Sequence, residues 1–107
     1  MARTLITAPA TARRGEVIEV RATIAHPMET GFRPGEDGKI LARNIIRRFS
    51  CRYNGELVFS VELFSALSAN PYIAFHTVAT ESGTLLLSWE GDNGFTQAES
   101  LSLSVSA

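Results

Sequence analysis

Apolar and polar residues alternate with a period of two along most of the chain. That is the pattern of strands that turn one face to a core. From Glu16 to Ala25, Ile18, Val20, Ala22 and Ile24 alternate with Glu19, Arg21 and Thr23. From Asn44 to Tyr53, Ile45, Phe49, Cys51 and Tyr53 share a face with Arg47, while Ile46, Arg48, Ser50 and Arg52 take the other. Asn54-Gly55 follows, a strong hairpin signal because both central positions of a type I′ turn need φ > 0. Leu57, Phe59, Val61 and Leu63 alternate on the return strand. Tyr72 to Thr80 is rich in aromatic and branched residues, with His76 on the face of Tyr72, Ala74 and Val78. Leu85, Leu87 and Trp89 share a face between turn signals at Ser82-Gly83 and Gly91-Asp92-Asn93-Gly94. Leu101, Leu103 and Val105 alternate with serines.

A short first strand at Thr4–Ala8 brings the number to about seven, and Leu63 to Ala69 has room for one helical turn at most. Seven short strands with turns between them predict an all-β fold, an immunoglobulin-like antiparallel β-sandwich. The 107 residues are expected to form one domain, 1–107. One long stretch, His26 to Arg43, breaks the alternation and holds Pro27, Gly31, Pro34, Gly35 and Gly38. Irregular stretches of that length are uncommon in compact domains and often functional. Asn70-Pro71 reads as a turn in which the proline pushes Asn70 out of the α region.

Charge narrows the partners. Lys plus Arg is 10 against 11 for Asp plus Glu, so the net charge is −1. No basic excess is present to displace counterions from nucleic acid, so none is expected as a partner. The first ten residues hold only a two-residue apolar run, against the roughly 7–15 of a secretory signal. No window reaches the roughly 18 apolar residues of a membrane span, so no membrane contact is expected.

Candidate chemistry is sparse. Cys51 is the only thiol and alternates with Phe49 and Tyr53, which makes it a buried structural cysteine rather than a nucleophile. His26, Met28, Cys51 and His76 together have the ligand types of a blue-copper centre. The order is wrong for one, because no His or Met lies within twenty residues after Cys51. His76 reads as a partly buried strand histidine, and Glu36-Asp37 as a solvated loop tip. No nucleophile, base and orienter fall into a motif, and no glycine-rich phosphate loop opens a helix. The expectation is no enzyme, no cofactor and no metal.

One set of motifs is more specific. His26-Pro27-Met28-Glu29-Thr30-Gly31, Arg33, Asp37-Gly38-Lys39-Ile40 and Ala42-Arg43-Asn44-Ile45-Ile46 come first. Arg48-Phe49-Ser50-Cys51, Asn54-Gly55, Ala69-Asn70-Pro71-Tyr72 with Phe75, Ser82-Gly83-Thr84, and Trp89 with Asp92-Asn93-Gly94 follow in register. From about Thr4 to Val105 the chain resembles the SoxZ family, small subunits of the SoxYZ carrier of bacterial sulfur oxidation. Two positions depart from it: Ala42 stands where a proline is usual, and Gly91-Asp92 where two acids are usual.

The resemblance implies a heterodimer with a SoxY-type subunit, whose mobile C-terminal tail carries the acceptor cysteine. Thiosulfate is conjugated to that thiol and processed, still attached, by other Sox enzymes that bind transiently. This chain ends in Leu-Ser-Leu-Ser-Val-Ser-Ala, so it is expected to lack the carrier thiol, and Cys51 does not inherit the role. The family's export route implies a periplasmic location, reached with the partner's signal. The His26–Arg43 stretch offers Met28, Phe32, Arg33 and Arg43, types favoured at interfaces. With His26, Pro27 and Glu29, and with Asn70, Pro71 and Tyr72, these are the candidate partner-interface residues. The alternative is a plain crossover between sheets, held by its glycines and Pro27. Three other readings stay open: a generic sandwich binding module, a thiol protein using Cys51, and a SoxZ-like subunit of another sulfur pathway.

Overall fold

The chain forms eight strands in the computed structural model, which describes residues 2–107. They are β1 (Thr4–Thr7), β2 (Thr11–Arg13), β3 (Val17–Ile24), β4 (Ile46–Tyr53), β5 (Glu56–Glu62), β6 (Tyr72–Val78), β7 (Gly83–Gly91) and β8 (Thr96–Ser106). The only helical element among the described residues is a 3₁₀ turn at Asp92–Gly94. One sheet has the order β1-β3-β6, the other β2-β8-β7-β4-β5. The expected all-β sandwich is present.

The core lies between the two inner faces. Ile18, Val20, Ala22, Ile24, Ile73 and Phe75 come from the smaller sheet, and Phe49, Cys51, Leu85, Leu87, Trp89 and Leu103 from the larger. Phe49 is its hub, with its ring centroid 5.2 Å from Trp89 and 5.9 Å from Phe75. Phe59 stacks on Phe75 at 4.6 Å, bridging the two sheets. Each buried ring of this kind contributes about 1.5–3 kcal/mol over its exposed state. Asn54-Gly55 forms the expected hairpin turn, with φ of 48° and 84°.

Several expectations need correction. There are eight strands, and β2 pairs in parallel with β8, Ala12 opposite Val105. Three residues with one buried side chain carry no alternation, so this strand has no local signal. A bulge between Ile46 and Arg48 inserts Arg47 as an extra residue against β7. The phase flips there, so Ile45 and Ile46 are both buried and Arg47 turns outward, away from the face of Phe49. A second bulge, opposite Cys51 and Arg52, leaves Leu57 41% exposed instead of aligned inward with Phe59. His76 is not partly buried: its face of β6 points outward, and Nε2 lies 3.5 Å from the Glu19 carboxylate. Asn70 is left-handed, φ 54°, rather than extended.

The molecule measures 60 × 20 × 20 Å with a radius of gyration of 16.2 Å. A compact chain of this length has about 13 Å. Strands of eight to eleven residues span roughly 25–35 Å, so the remaining length is supplied by the excursion between β3 and β4.

Candidate partner-binding surface

The excursion is an arm rather than an irregular loop. Isolated bridges pair Glu29 with Asn44 and Pro34 with Ile40. Leu41 N–H donates to Arg33 O at 2.8 Å, and Gly35 N–H to Lys39 O at 2.7 Å across the tip. The two legs cross closely at Gly31, φ 89°, where a Cβ would stand 3.0 Å from Arg43 Cβ. A two-stranded ribbon of this length buries little of its own surface and is marginal alone. Phe32 is 82% exposed on it and Ile40 59%. Arg33 Nη2 donates to Glu29 Oε1 at 2.6 Å, and that guanidinium lowers the Glu29 pKa.

The root is fixed by polar contacts. His26 and Asn70 clasp each other: His26 N–H donates to Asn70 Oδ1 at 3.0 Å, and Asn70 N–H to His26 O at 2.8 Å. His26 Nδ1 accepts from Met28 N–H at 3.0 Å, which requires that nitrogen to be unprotonated. Burial lowers the His26 pKa, opposed by the charge of Asp92. The ring stands edge-on to Phe95, centroids 5.2 Å apart. Met28, at φ 49°, sends its sulfur into the core, where it accepts Ile46 N–H at 3.3 Å.

Asp92 ties the arm to the end of the larger sheet. Its carboxylate accepts Arg43 Nε and Nη2, each at 2.9 Å, and Ile45 N–H at 3.1 Å. Arg47 Nε lies 3.2 Å away. The hydrogen bonds from Arg43 are the leading cause of its lowered pKa. The sequence carried no signal for this hub, because Asp92 and Arg43 are 49 positions apart. Beside it lies a cleft of about 440 Å³, with Arg43, Arg47 and Arg48 facing Glu62 and Glu90 over Leu63 and Phe64.

The candidate interface residues therefore divide. Phe32, Arg33, Pro27, Arg43, Asn70 and Tyr72 are exposed, and Glu29 is half-buried. His26, Met28 and Pro71 are buried within the chain. Of these, His26 and Met28 make polar contacts at the arm's root.

Cys51 is fully buried, as its alternation predicts. Desolvation pushes its pKa up to about 11. Among the described residues no three His, Cys, Asp or Glu side chains converge as metal ligands. The ligand types of a copper centre are present but are not brought together. What the arrangement offers is recognition: a projecting arm, a charged cleft at its root and exposed aromatic side chains.

Comparison with known proteins gives the family and the fold. The family model described as "Sulphur oxidation protein SoxZ" matches residues 6–102. No curated protein sequence matches. Among solved structures, the sulfur carrier protein SoxY from Chlorobium limicola f thiosulfatophilum superposes with a TM-score of 0.66 at 14% identity, covering 97% of this chain and 79% of that one. A superoxide reductase (neelaredoxin) from Ignicoccus hospitalis gives 0.73 at 14%, covering 98% and 82%. A putative superoxide reductase from Thermotoga maritima gives 0.73 at 16%, covering 97% and 86%. At these identities the likeness is one of fold.

Proposed function

The chain belongs to the SoxZ family, a subunit related to the Sox sulfur-oxidation carrier, and from that premise we propose that it is the scaffold half of a SoxYZ-type heterodimer. It pairs with a SoxY-type subunit, whose tail thiol holds the covalent sulfur intermediate, and supports and presents that tail to the Sox enzymes. The observation that carries this reading is the family match over 6–102, nearly the whole sandwich. The fold shared with a SoxY carrier protein supports it.

Carrier chemistry divides the labour. The tail must be mobile enough to enter several active sites, and the body must be recognised each time. A sandwich with one continuous core suits the body. Its own thiol is unsuited to the cargo role, because a pKa of about 11 leaves roughly one part in ten thousand as thiolate at pH 7. The arm, with Phe32 and Arg33, and the turn at Asn70 to Tyr72 form the face offered to the partner or to a visiting enzyme. The location that goes with this role is the periplasm, reached together with the partner.

Co-expression with the host's SoxY-type subunit tests the pairing. The expected result is a stable one-to-one complex by size-exclusion chromatography with light scattering. A chain that stays alone beside a folded SoxY-type subunit refutes it. Cell fractionation tests the location, which requires the chain in the periplasm only when the partner's signal is intact.

A further inference from the structure

The chain holds two Asn-Gly steps, Asn54-Gly55 and Asn93-Gly94. This dipeptide has a chemistry of its own. The glycine has no Cβ to block the approach of its backbone nitrogen to the asparagine Cγ. A bond forms between that nitrogen and Cγ, the Cγ–Nδ2 bond breaks, and ammonia leaves with the amide proton. Water then opens the succinimide ring. Attack at Cγ gives aspartate. Attack at the main-chain carbonyl carbon gives isoaspartate, in which the backbone runs through the former side chain. Both asparagines are exposed, and both lie in the left-handed region, with φ of 48° and 60°. Beyond its chain neighbours, neither glycine has an atom within 4 Å of where a Cβ would stand. Sequence and backbone therefore treat the two steps alike.

Side-chain contacts separate them. Reaction requires the carboxamide to swing toward the next backbone nitrogen. The Asn54 carboxamide is tied to the turn before β7: Oδ1 accepts Thr84 N–H at 2.9 Å, and Nδ2 donates to Glu81 Oε1 at 3.3 Å and to Ser82 O at 3.4 Å. It packs so closely on Gly83 that a Cβ there would overlap it. Asn93 lies in the 3₁₀ turn Asp92–Gly94. Its carboxamide makes no hydrogen bond to the chain among the described residues and stands in solvent. Releasing two or three hydrogen bonds of ordinary net strength lowers the reaction-ready population of Asn54 by about tenfold or more.

We propose that Asn93 is a site of spontaneous deamidation that loosens the root of the arm, and that Asn54 is protected from the same reaction. The site adjoins the hub that holds the arm. Asp92 accepts Arg43 Nε and Nη2 and Ile45 N–H. The turn is closed by Gly91 N–H to Phe95 O at 2.9 Å and by Phe95 N–H to Asp92 O at 3.2 Å. Isoaspartate at position 93 lengthens the backbone by one carbon inside that closed turn, which works against both closures. It also sets a new carboxylate beside Asp92, where it competes for Arg43 and Arg47. The tie between the arm and the larger sheet therefore weakens as the protein ages.

Ageing the full chain in mildly alkaline buffer, followed by peptide mass mapping, tests the site. Expected is the mass change of amide to acid at Asn93, about tenfold faster or more than at Asn54. The product at 93 is expected to accept a methyl group from an isoaspartyl methyltransferase. In urea, where both side chains are free, the two rates are expected to converge. Asn54 reacting as fast as Asn93 in the folded chain, or no reaction at Asn93, overturns the proposal. Hydrogen–deuterium exchange of aged against fresh chain reads the effect on the arm. Faster exchange is expected at residues 44–46 and 91–95. It is expected to be absent from an equally aged Asn93→Gly chain, which keeps the left-handed turn and lacks the carboxamide. Unchanged exchange in the aged wild type, or the same rise in Asn93→Gly, overturns the loosening.

Discussion

The clasp between His26 and Asn70 gives the sharpest test of how the arm is held. Asn70 sits at φ 54° directly before Pro71, and its Oδ1 accepts the His26 N–H at 3.0 Å. Asn70→Ala removes two things. A left-handed backbone disfavours a Cβ-bearing residue without a local hydrogen bond by about 1–2 kcal/mol. A poorly solvated N–H left without an acceptor costs about 1–3 kcal/mol. Together the expected loss is about 2–5 kcal/mol of unfolding free energy, since both terms act at one position. Asn70→Gly keeps the backbone conformation and loses only the acceptor. Asn70→Asp keeps an acceptor and tolerates the conformation. The order of stability is therefore wild type and Asp, then Gly, then Ala. Urea unfolding followed by fluorescence of the buried Trp89 measures it. Ala within about 0.5 kcal/mol of wild type, the range of an ordinary surface change, refutes the clasp as the arm's anchor.

Other consequences are as direct. Burial holds the folded pKa of His26 below its unfolded value, so the unfolded chain binds the extra proton first as pH falls. Stability is full above about pH 6.5 and declines as pH drops from there through the lower folded pKa; His26→Gln is expected to flatten that decline in urea midpoints between pH 7.5 and 5. Cys51 is expected to react with a thiol reagent at pH 8 only at the rate of unfolding, and a fast native reaction contradicts its burial. Phe32→Ala with Arg33→Ala removes exposed arm side chains, so stability is expected to stay within about 0.5 kcal/mol. The same pair is expected to slow thiosulfate turnover in a reconstituted Sox system. Unaltered turnover removes the arm from enzyme docking.

Much of the sandwich is legible in the sequence because a half-buried strand writes its burial as alternation. Ile18 to Ile24, Leu85 to Trp89 and the Asn54-Gly55 turn all follow it, and Cys51 falls in the core by the same logic. Alternation loses its meaning where a strand bulges. The extra residue at Arg47 and the shift opposite Cys51–Arg52 each reverse the phase, which is why Ile46 is inside and Leu57 is out. The exposure of His76 is hidden for a related reason: β6 carries apolar or aromatic residues on both faces, so pattern alone cannot tell inside from outside.

The candidate surface is legible only in part. Glycines and prolines mark 26–43 as special, but nothing local shows that it folds into a paired ribbon. Met28 has the composition of an interface residue and the position of a core residue, because a left-handed turn at its own Cα points it inward. The Asp92 hub depends on partners far away in sequence, and β2 on a pairing with the far end of the chain. Contacts made across such distances leave no periodic trace.

The proposed role is that of a subunit that carries no cargo itself and serves a partner that does. The direct measurement is capture of the tagged chain from its host grown on thiosulfate, with intact mass determined under non-reducing conditions. Expected is one small co-purifying subunit whose C-terminal cysteine peptide bears a sulfur adduct, with Cys51 unmodified. An adduct on Cys51, or a captured chain with no cysteine-tailed partner, contradicts it.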